Sequence, residues 1–185
     1  MGRGVADPRH ARRTKRALGI SLVTSAAMLA LTSCSPLQVA VLGVGVDDKG
    51  VPVAYIQVCR DYIDTVVLFE PNLAGRRAEW IADAPVEGSA AIRMGETNLG
   101  WTVVAEYPGI EDRQEYSLHA WSESSWDSFA AVGVEFGTDD LADIAPGEVL
   151  YRTGWDSPGV PAYAVTSVED FAEKACEYFG TQFED

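Results

Sequence analysis

Of the 185 residues, 28 are acidic and 14 basic, so the chain carries a net charge of −14. That charge excludes nucleic acid as a natural partner and excludes adhesion to anionic lipid by charge, because an acidic surface repels phosphate. The chain offers about 150 residues beyond its N-terminal segment, enough for one domain that buries roughly 68 to 70% of its unfolded surface, and no second domain is required.

The chain opens with a positive segment, Arg3, Arg9, Arg12, Arg13, Lys15 and Arg16, followed by an apolar run from Ala17 to Leu31. Positive residues of this kind stay on the cytoplasmic side of a membrane. The run, diluted by Ser21, Thr24 and Ser25, falls short of the roughly 18 to 20 residues that a spanning helix needs. The pattern predicts a cleaved signal peptide over residues 1–33. Its last residues, Leu31-Thr32-Ser33-Cys34, resemble the lipobox of bacterial lipoprotein precursors. In that motif a Leu stands three residues before a Cys, with small residues between them, because the signal peptidase admits only small side chains beside the scissile bond. The resemblance implies that Cys34 carries a thioether-linked diacylglycerol as the first residue of the mature protein. It also implies an anchored location on the outer face of the cytoplasmic membrane, with the membrane as partner through that lipid. The alternative, an ordinary secretory signal with a chance Cys, stays open. So does the export route, since Arg12-Arg13 suits twin-arginine export but Thr14-Lys15-Arg16 lacks the apolar residues that usually follow. Removing residues 1–33, with six basic side chains and one acid, takes the net charge from −14 to −19. The acyl chains, not charge, must therefore do the anchoring. Arg outnumbers Lys eleven to three, a usage that resembles actinobacterial proteins.

Residues 34–37 read as the lipidated N-terminus and a short tether, and 38–185 as one β-rich extracytoplasmic domain. Leu37 to Val46 is apolar and interrupted by Gly43 and Gly45; Asp47-Asp48-Lys49-Gly50 then supplies a turn before Val51 to Val58, which predicts a hairpin with Gly50 left-handed. Ala54, Ile56 and Val58 share one face, and Tyr55, Gln57 and Cys59 the other. Further strands are expected at Thr65 to Phe69, Arg76 to Ala82, Trp101 to Tyr107 and Glu115 to Trp121, around Val132, Val134 and Phe136, and from Glu148 to Arg152, ending at Thr153-Gly154. Seven or eight short strands punctuated by Gly, Pro, Asn and Asp predict a mainly β fold, an antiparallel β-sandwich or barrel-like domain. From Ser167 the period changes. Val168, Phe171, Ala172, Ala175 and Phe179 recur at helical spacing behind a Ser cap, which predicts one C-terminal amphipathic helix laid on the sheet.

Cys59 and Cys176 remain beside Cys34, and an extracytoplasmic address permits a disulfide between them when the helix docks; two isolated thiols are the alternative. Neither has a second Cys or His at ligand spacing, so no metal site and no cofactor are expected. His119 is the one histidine after residue 33 and would have to carry any Ser-His-Asp or Cys-His chemistry, yet no Gly-x-Ser-x-Gly elbow accompanies it. It reads as a surface or cross-strand residue, and no catalytic residue is assigned. Asp61 with Asp64, and Glu111 with Asp112, are carboxylate pairs that a glycan-cleaving enzyme could use if two acids lay about 5 to 9.5 Å apart across a cleft. Asp139, Asp140 and Asp143 lack the alternation and central Gly of a calcium loop, and Asp139 reads as a helix cap or turn residue. Trp121, Trp126 and Trp155 are expected in loops, where exposed indoles could stack on an envelope glycan or a partner protein; the alternative is that they plug the ends of the fold. The stretches Val58-Cys59-Arg60-Asp61-Tyr62-Ile63-Asp64 and Ala145-Pro146-Gly147-Glu148-Val149-Leu150 resemble actinobacterial envelope lipoproteins, a likeness that carries no activity. A non-catalytic binding or interaction module of the envelope is the expected function, with a carboxylate-pair glycan hydrolase as the alternative.

Overall fold

A computed structural model of the chain describes residues 36–70, 75–123 and 129–182, with side chains through residue 177. These belong to one compact unit, Pro36–Asp185. The chain runs through β1 (Leu37–Val46), β2 (Pro52–Val58), β3 (Ile63–Glu70), β4 (Gly75–Val86), β5 (Ser89–Arg93), β6 (Trp101–Ala105), β7 (Glu115–Trp121), β8 (Phe129–Val132) and β9 (Val134–Gly137). A short helix α1 (Thr138–Asp143), the hairpin strands β10 (Glu148–Ser157) and β11 (Val160–Ser167), and the C-terminal helix α2 (Val168–Gln182) complete it. The protein is mainly β, a curled barrel-like sheet with one long C-terminal helix. Eleven strands appear among the described residues, against the seven or eight expected. The additional ones are β5 and β11, together with the splitting of one expected strand at Gly133, where a Cβ would press on the Leu118 carbonyl at 2.7 Å. The strand expected to end at Thr153-Gly154 continues to Ser157, because β11 gives it an antiparallel partner as far as Val160.

The sheet order is β11-β10-β1-β8-β7-β3-β4-β6, with β2 and β5 branching from β1 and β9 pairing with β7. β1 is the hub. One edge pairs with β2 from Ala40 to Val46. The other edge is shared: β8 runs parallel to its first half, and β10 meets Gly43 and Val44 antiparallel. Every other pairing among the described residues is antiparallel. The hairpin from β1 to β2 turns through Gly50 at φ +78°, as its sequence predicts, and Asp47 locks it by accepting from the amides of Lys49 and Val51, both at 2.9 Å.

Both faces of the sheet are covered around β1, so its residues form a nearly continuous apolar run. Ala40, Leu42 and Val44 point into the main core with Ala54, Ile56, Val66, Leu68, Trp80 and Leu118. Val41 points outward into a second core made with Val149, Tyr151, Phe171 and Ala175, where α2 packs on the sheet. Gly43 and Gly45 also stand under this cover. A Cβ on Gly43 would collide with the side chain of Val149, and one on Gly45 with the carbonyl of Glu148. Absent Cβ atoms let β10 lie close across β1.

The helix begins where its cap predicts: the Asp170 amide donates to Ser167 Oγ at 3.1 Å. Phe171 meets Tyr151 edge-on with centroids 5.2 Å apart, and burying it contributes about 1.5 to 3 kcal/mol. The side chain of Phe179 lies outside the described residues. Cys176 reaches Cys59 at the end of β2, and the two form a disulfide with Cα atoms 5.4 Å apart, 117 residues apart in sequence. In the chain-entropy picture closing so long a loop stabilises the fold by about 4 to 5 kcal/mol.

Two outcomes follow. Thiol titration of the oxidised, denatured chain should find neither Cys59 nor Cys176 reactive, and reduction should expose α2 to proteolytic cleavage near Ser167 before the sheet opens. Gly43→Ala should lower the stability measured by denaturant unfolding by about 1 to 3 kcal/mol, because the added methyl overpacks the β1–β10 crossing.

Candidate functional site

Two surfaces carry the residues of interest. The first is a groove of about 710 Å³ lined by Pro36, Gln38, Phe69, His119, Ala120, Trp121, Ser122, Phe129, Ala130 and Ala131. Strand alternation explains how these residues meet. Trp121 pairs with Ala130, and His119 with Val67 two residues from Phe69, so Phe69, His119, Trp121 and Ala130 project from one face of β3, β7 and β8, while Ala120 and Ala131 belong to the main core. Val132, two residues beyond Ala130 on that face, packs under α2. The groove is thus the continuation of the helix-covered face beyond the helix's own core.

Its polar groups are few. His119 is exposed, edge-on to Phe69 at 5.4 Å, while its neighbour Leu118 is buried, as the alternation predicts. Partial desolvation lowers the His119 pKa below its ordinary value, opposed by the charge of Glu135. The Trp121 indole N–H donates to Glu123 at 3.3 Å, and Arg76 stands over the ring at 5.7 Å. Ser122 Oγ accepts from the Phe129 amide at 3.4 Å. Gln38 differs. Its backbone carbonyl is clamped by Arg60, with Nη2 at 2.9 Å, while its side-chain Oε1 is buried and accepts no hydrogen bond among the described residues.

The second surface is the β10–β11 hairpin. Trp155 sits on β10, not in a loop as its surroundings in sequence predict, and the residue is 56% exposed. The Arg152 guanidinium stacks on it at 3.7 Å, and exposed Val160 stands across the hairpin. Trp121 and Trp155 therefore serve different surfaces. Trp126 and Cys34 lie outside the described residues. Of the other tryptophans, Trp80 is buried in the main core and Trp101 packs against it.

One member of each carboxylate pair, Asp64 and Glu111, is engaged in holding the fold. Asp64 is buried and accepts from Thr65 Oγ1 at 3.0 Å and from the Glu123 amide at 2.9 Å, which ties β3 to the segment after β7. It shares a smaller pocket with Asp83, which accepts from Thr102 at 3.0 Å, and with Glu123. Asp61 is exposed in a left-handed turn at φ +54°. Glu111 pairs with Arg77 at 2.6 Å. Asp140 accepts from the Gly137 amide at 2.8 Å and so caps α1, with Asp139 in the same first turn. Among the described residues no group of three or more His, Cys, Asp or Glu side chains could hold a metal ion, and no helix is long and apolar enough to cross a membrane.

Compared with protein-family models, with curated proteins and with solved structures, the chain matches none of them.

Because His119 is harder to protonate in the folded state than in the unfolded chain, stability present above the unfolded pKa is lost as pH falls from about 6.5 through the folded value. Unfolding of the wild type and of His119→Gln should be compared from pH 7.5 to 5. The difference should turn against the wild type as the pH drops; a constant difference would mean that His119 titrates like a free side chain.

Proposed function

We propose that the protein is a lipid-anchored envelope protein that acts by binding, with the Trp155 hairpin as its contact surface for an envelope glycan or a partner protein. The observation that carries this reading is the state of Trp155. The residue is more than half exposed, yet it is fixed on a paired strand and backed by Arg152. An exposed aromatic ring normally loses free energy to water contact and side-chain motion; one held flat by a stacked guanidinium is preorganised to take a sugar ring or an apolar side chain on its free face. The anchor follows from the Leu31-Thr32-Ser33-Cys34 motif. The net charge of −19 after residue 33 supports contact with neutral or basic groups over anionic wall polymers. The engagement of Asp64, Asp83 and Glu111 in structural hydrogen bonds and ion pairs favours binding over glycan hydrolysis.

Mass spectrometry of the native protein should find an acylated N-terminal Cys34, and the protein should fractionate with membrane. Tryptophan fluorescence should shift on titration with soluble peptidoglycan fragments or with a purified envelope partner. Trp155→Ala should abolish the shift and weaken binding by about 1 kcal/mol or more, without lowering the melting temperature. A melting temperature that falls instead would make Trp155 a structural residue, and a shift retained in the variant would place the contact elsewhere.

A further inference from the structure

We infer that the outer edge of β6 takes up a short extended segment of a partner protein, one that carries Lys or Arg beside small apolar residues. The surface shares no residue with the Trp155 hairpin. Its first property is an open ladder. β5 and β6 stand at the two ends of the run β5-β2-β1-β8-β7-β3-β4-β6, and among the described residues no pairing joins them. Both send side chains into the main core, Ile92 from β5 and Trp101 from β6, so the curled sheet is left open between them. An edge of this kind offers backbone groups to an added strand, and extended peptides bind other proteins in that way.

The second property is a pocket beside that edge, and it states what the segment carries. Val103 is paired with Trp80 and shares its face of the sheet, yet Val103 is 42% exposed and Trp80 only 1%, because no strand follows β6. A pocket of about 440 Å³ opens there, with Trp80, Val103 and Tyr107 as its apolar wall and Glu96 and Glu106 among its lining. A Lys or Arg side chain suits both parts, since its methylene stem lies on apolar surface while its charge reaches the carboxylates. The protein supplies no such cation from its own nearby chain. Residues 94–112 hold four acids and no Lys, Arg or His, and Arg93 just before them is ion-paired with Asp47 at 3.5 Å.

The third property is preorganisation. The turn that leads into β6 is held by Asn98, whose Oδ1 accepts from the Arg93 amide and whose Nδ2 donates to the Arg93 and Glu96 carbonyls, all at 2.9 Å. The Asp83 amide donates to the Gly100 carbonyl at 2.9 Å and fixes the far side of the turn. Leu99 stands fully exposed on this rigid turn, and Val104 is 55% exposed on the strand that follows. Apolar side chains held in this way contact a partner without a further loss of backbone freedom. A second copy of this chain is the poorer occupant, because it brings the same carboxylates to the same edge. The register shift between Glu79 and Trp80 also leaves Val104 as an extra residue, and such a bulge bends an edge strand and limits a new ladder to a few residues. A short basic segment fits that limit.

The test uses the full chain, purified in detergent, and three short fluorescein-labelled peptides: one of alternating Lys and Val, one with Glu in place of Lys, and the Lys peptide with a central Pro that cannot extend a ladder. Fluorescence anisotropy should show the Lys peptide binding about tenfold or more tightly than the other two, and its binding should slow amide hydrogen exchange across 101–105. In the double variant Glu96→Lys, Glu106→Lys, which alters two exposed side chains, the preference should reverse by about tenfold or more towards the Glu peptide. Equal binding of the Pro peptide would reduce the effect to charge attraction and overturn the proposal, and so would exchange protection at β5 or β11 in place of β6. Failure of every peptide to bind, or a preference unchanged in the double variant, overturns it as well. Self-association that protects 101–105 without peptide would give the edge to a second copy and sink the partner reading. Trp155→Ala should leave binding of the Lys peptide unchanged; its loss there would assign the peptide to the hairpin and remove this site.

Discussion

The close crossing of β10 over β1 is the constraint on which the remaining architecture rests. A strand edge normally serves one neighbour, but the second edge of β1 serves β8 along its first half and β10 at Gly43 and Val44. A side chain at Gly43 or Gly45 would push β10 away, since the Val149 side chain and the Glu148 carbonyl occupy that space. Once β10 lies across β1, Val149 and Tyr151 are placed beside Val41, and they make the apolar floor on which Phe171 and Ala175 settle. The helix, its disulfide and the second core are consequences of two missing methyl groups.

The same arrangement divides the outer face of the sheet in two. Over β1, β2 and β10 the helix supplies the cover, and the polar atoms nearby are satisfied locally, as in the Gln57 amide that donates to the Val58 carbonyl at 3.1 Å. Over β3, β7 and β8 the face is left as a groove bounded by His119, Trp121 and Phe129. Among the described residues no acidic side chain lines it, and several are tied to Arg76, Arg77, Arg93 and Lys174 or to backbone amides. With the acidic groups so placed, the groove is shaped by apolar contacts, and charge acts at longer range by keeping anionic surfaces away.

Much of this was legible in the residues. The mainly β class, the first hairpin with its left-handed Gly50, the strand from Glu115 to Trp121, the Ser167 cap and the Cys59–Cys176 bridge all follow from alternation, turn chemistry and the count of thiols. Local pattern did not reveal strands that exist because of a distant partner. β5, rich in Ala, is held by β2, and the second half of β10 by β11, across a Pro-Gly turn whose surroundings read as loop. For the same reason Trp155 looks like a loop residue in sequence and is a strand residue in the fold. The groove was hidden for a different reason. Its residues come from β1, β3, β7 and β8, far apart in the chain, and only the parallel pairing of β1 with β8, which no hairpin signal announces, brings Gln38 opposite Ala130.

The disulfide has a further consequence when the chain is considered under tension. A pull applied at Pro36 acts along β1, and the ladders to β2 and to β8 lie across that direction and share the load in shear. Should they fail, the chain can pay out only as far as Cys59, where the covalent bond to Cys176 closes a ring around the rest of the domain. Strands β3 to β11 and the start of the helix lie inside that ring in sequence. Force entering at Pro36 and leaving beyond Cys176 is therefore carried past them through sulfur, and the part of the protein that holds Trp155 is bypassed.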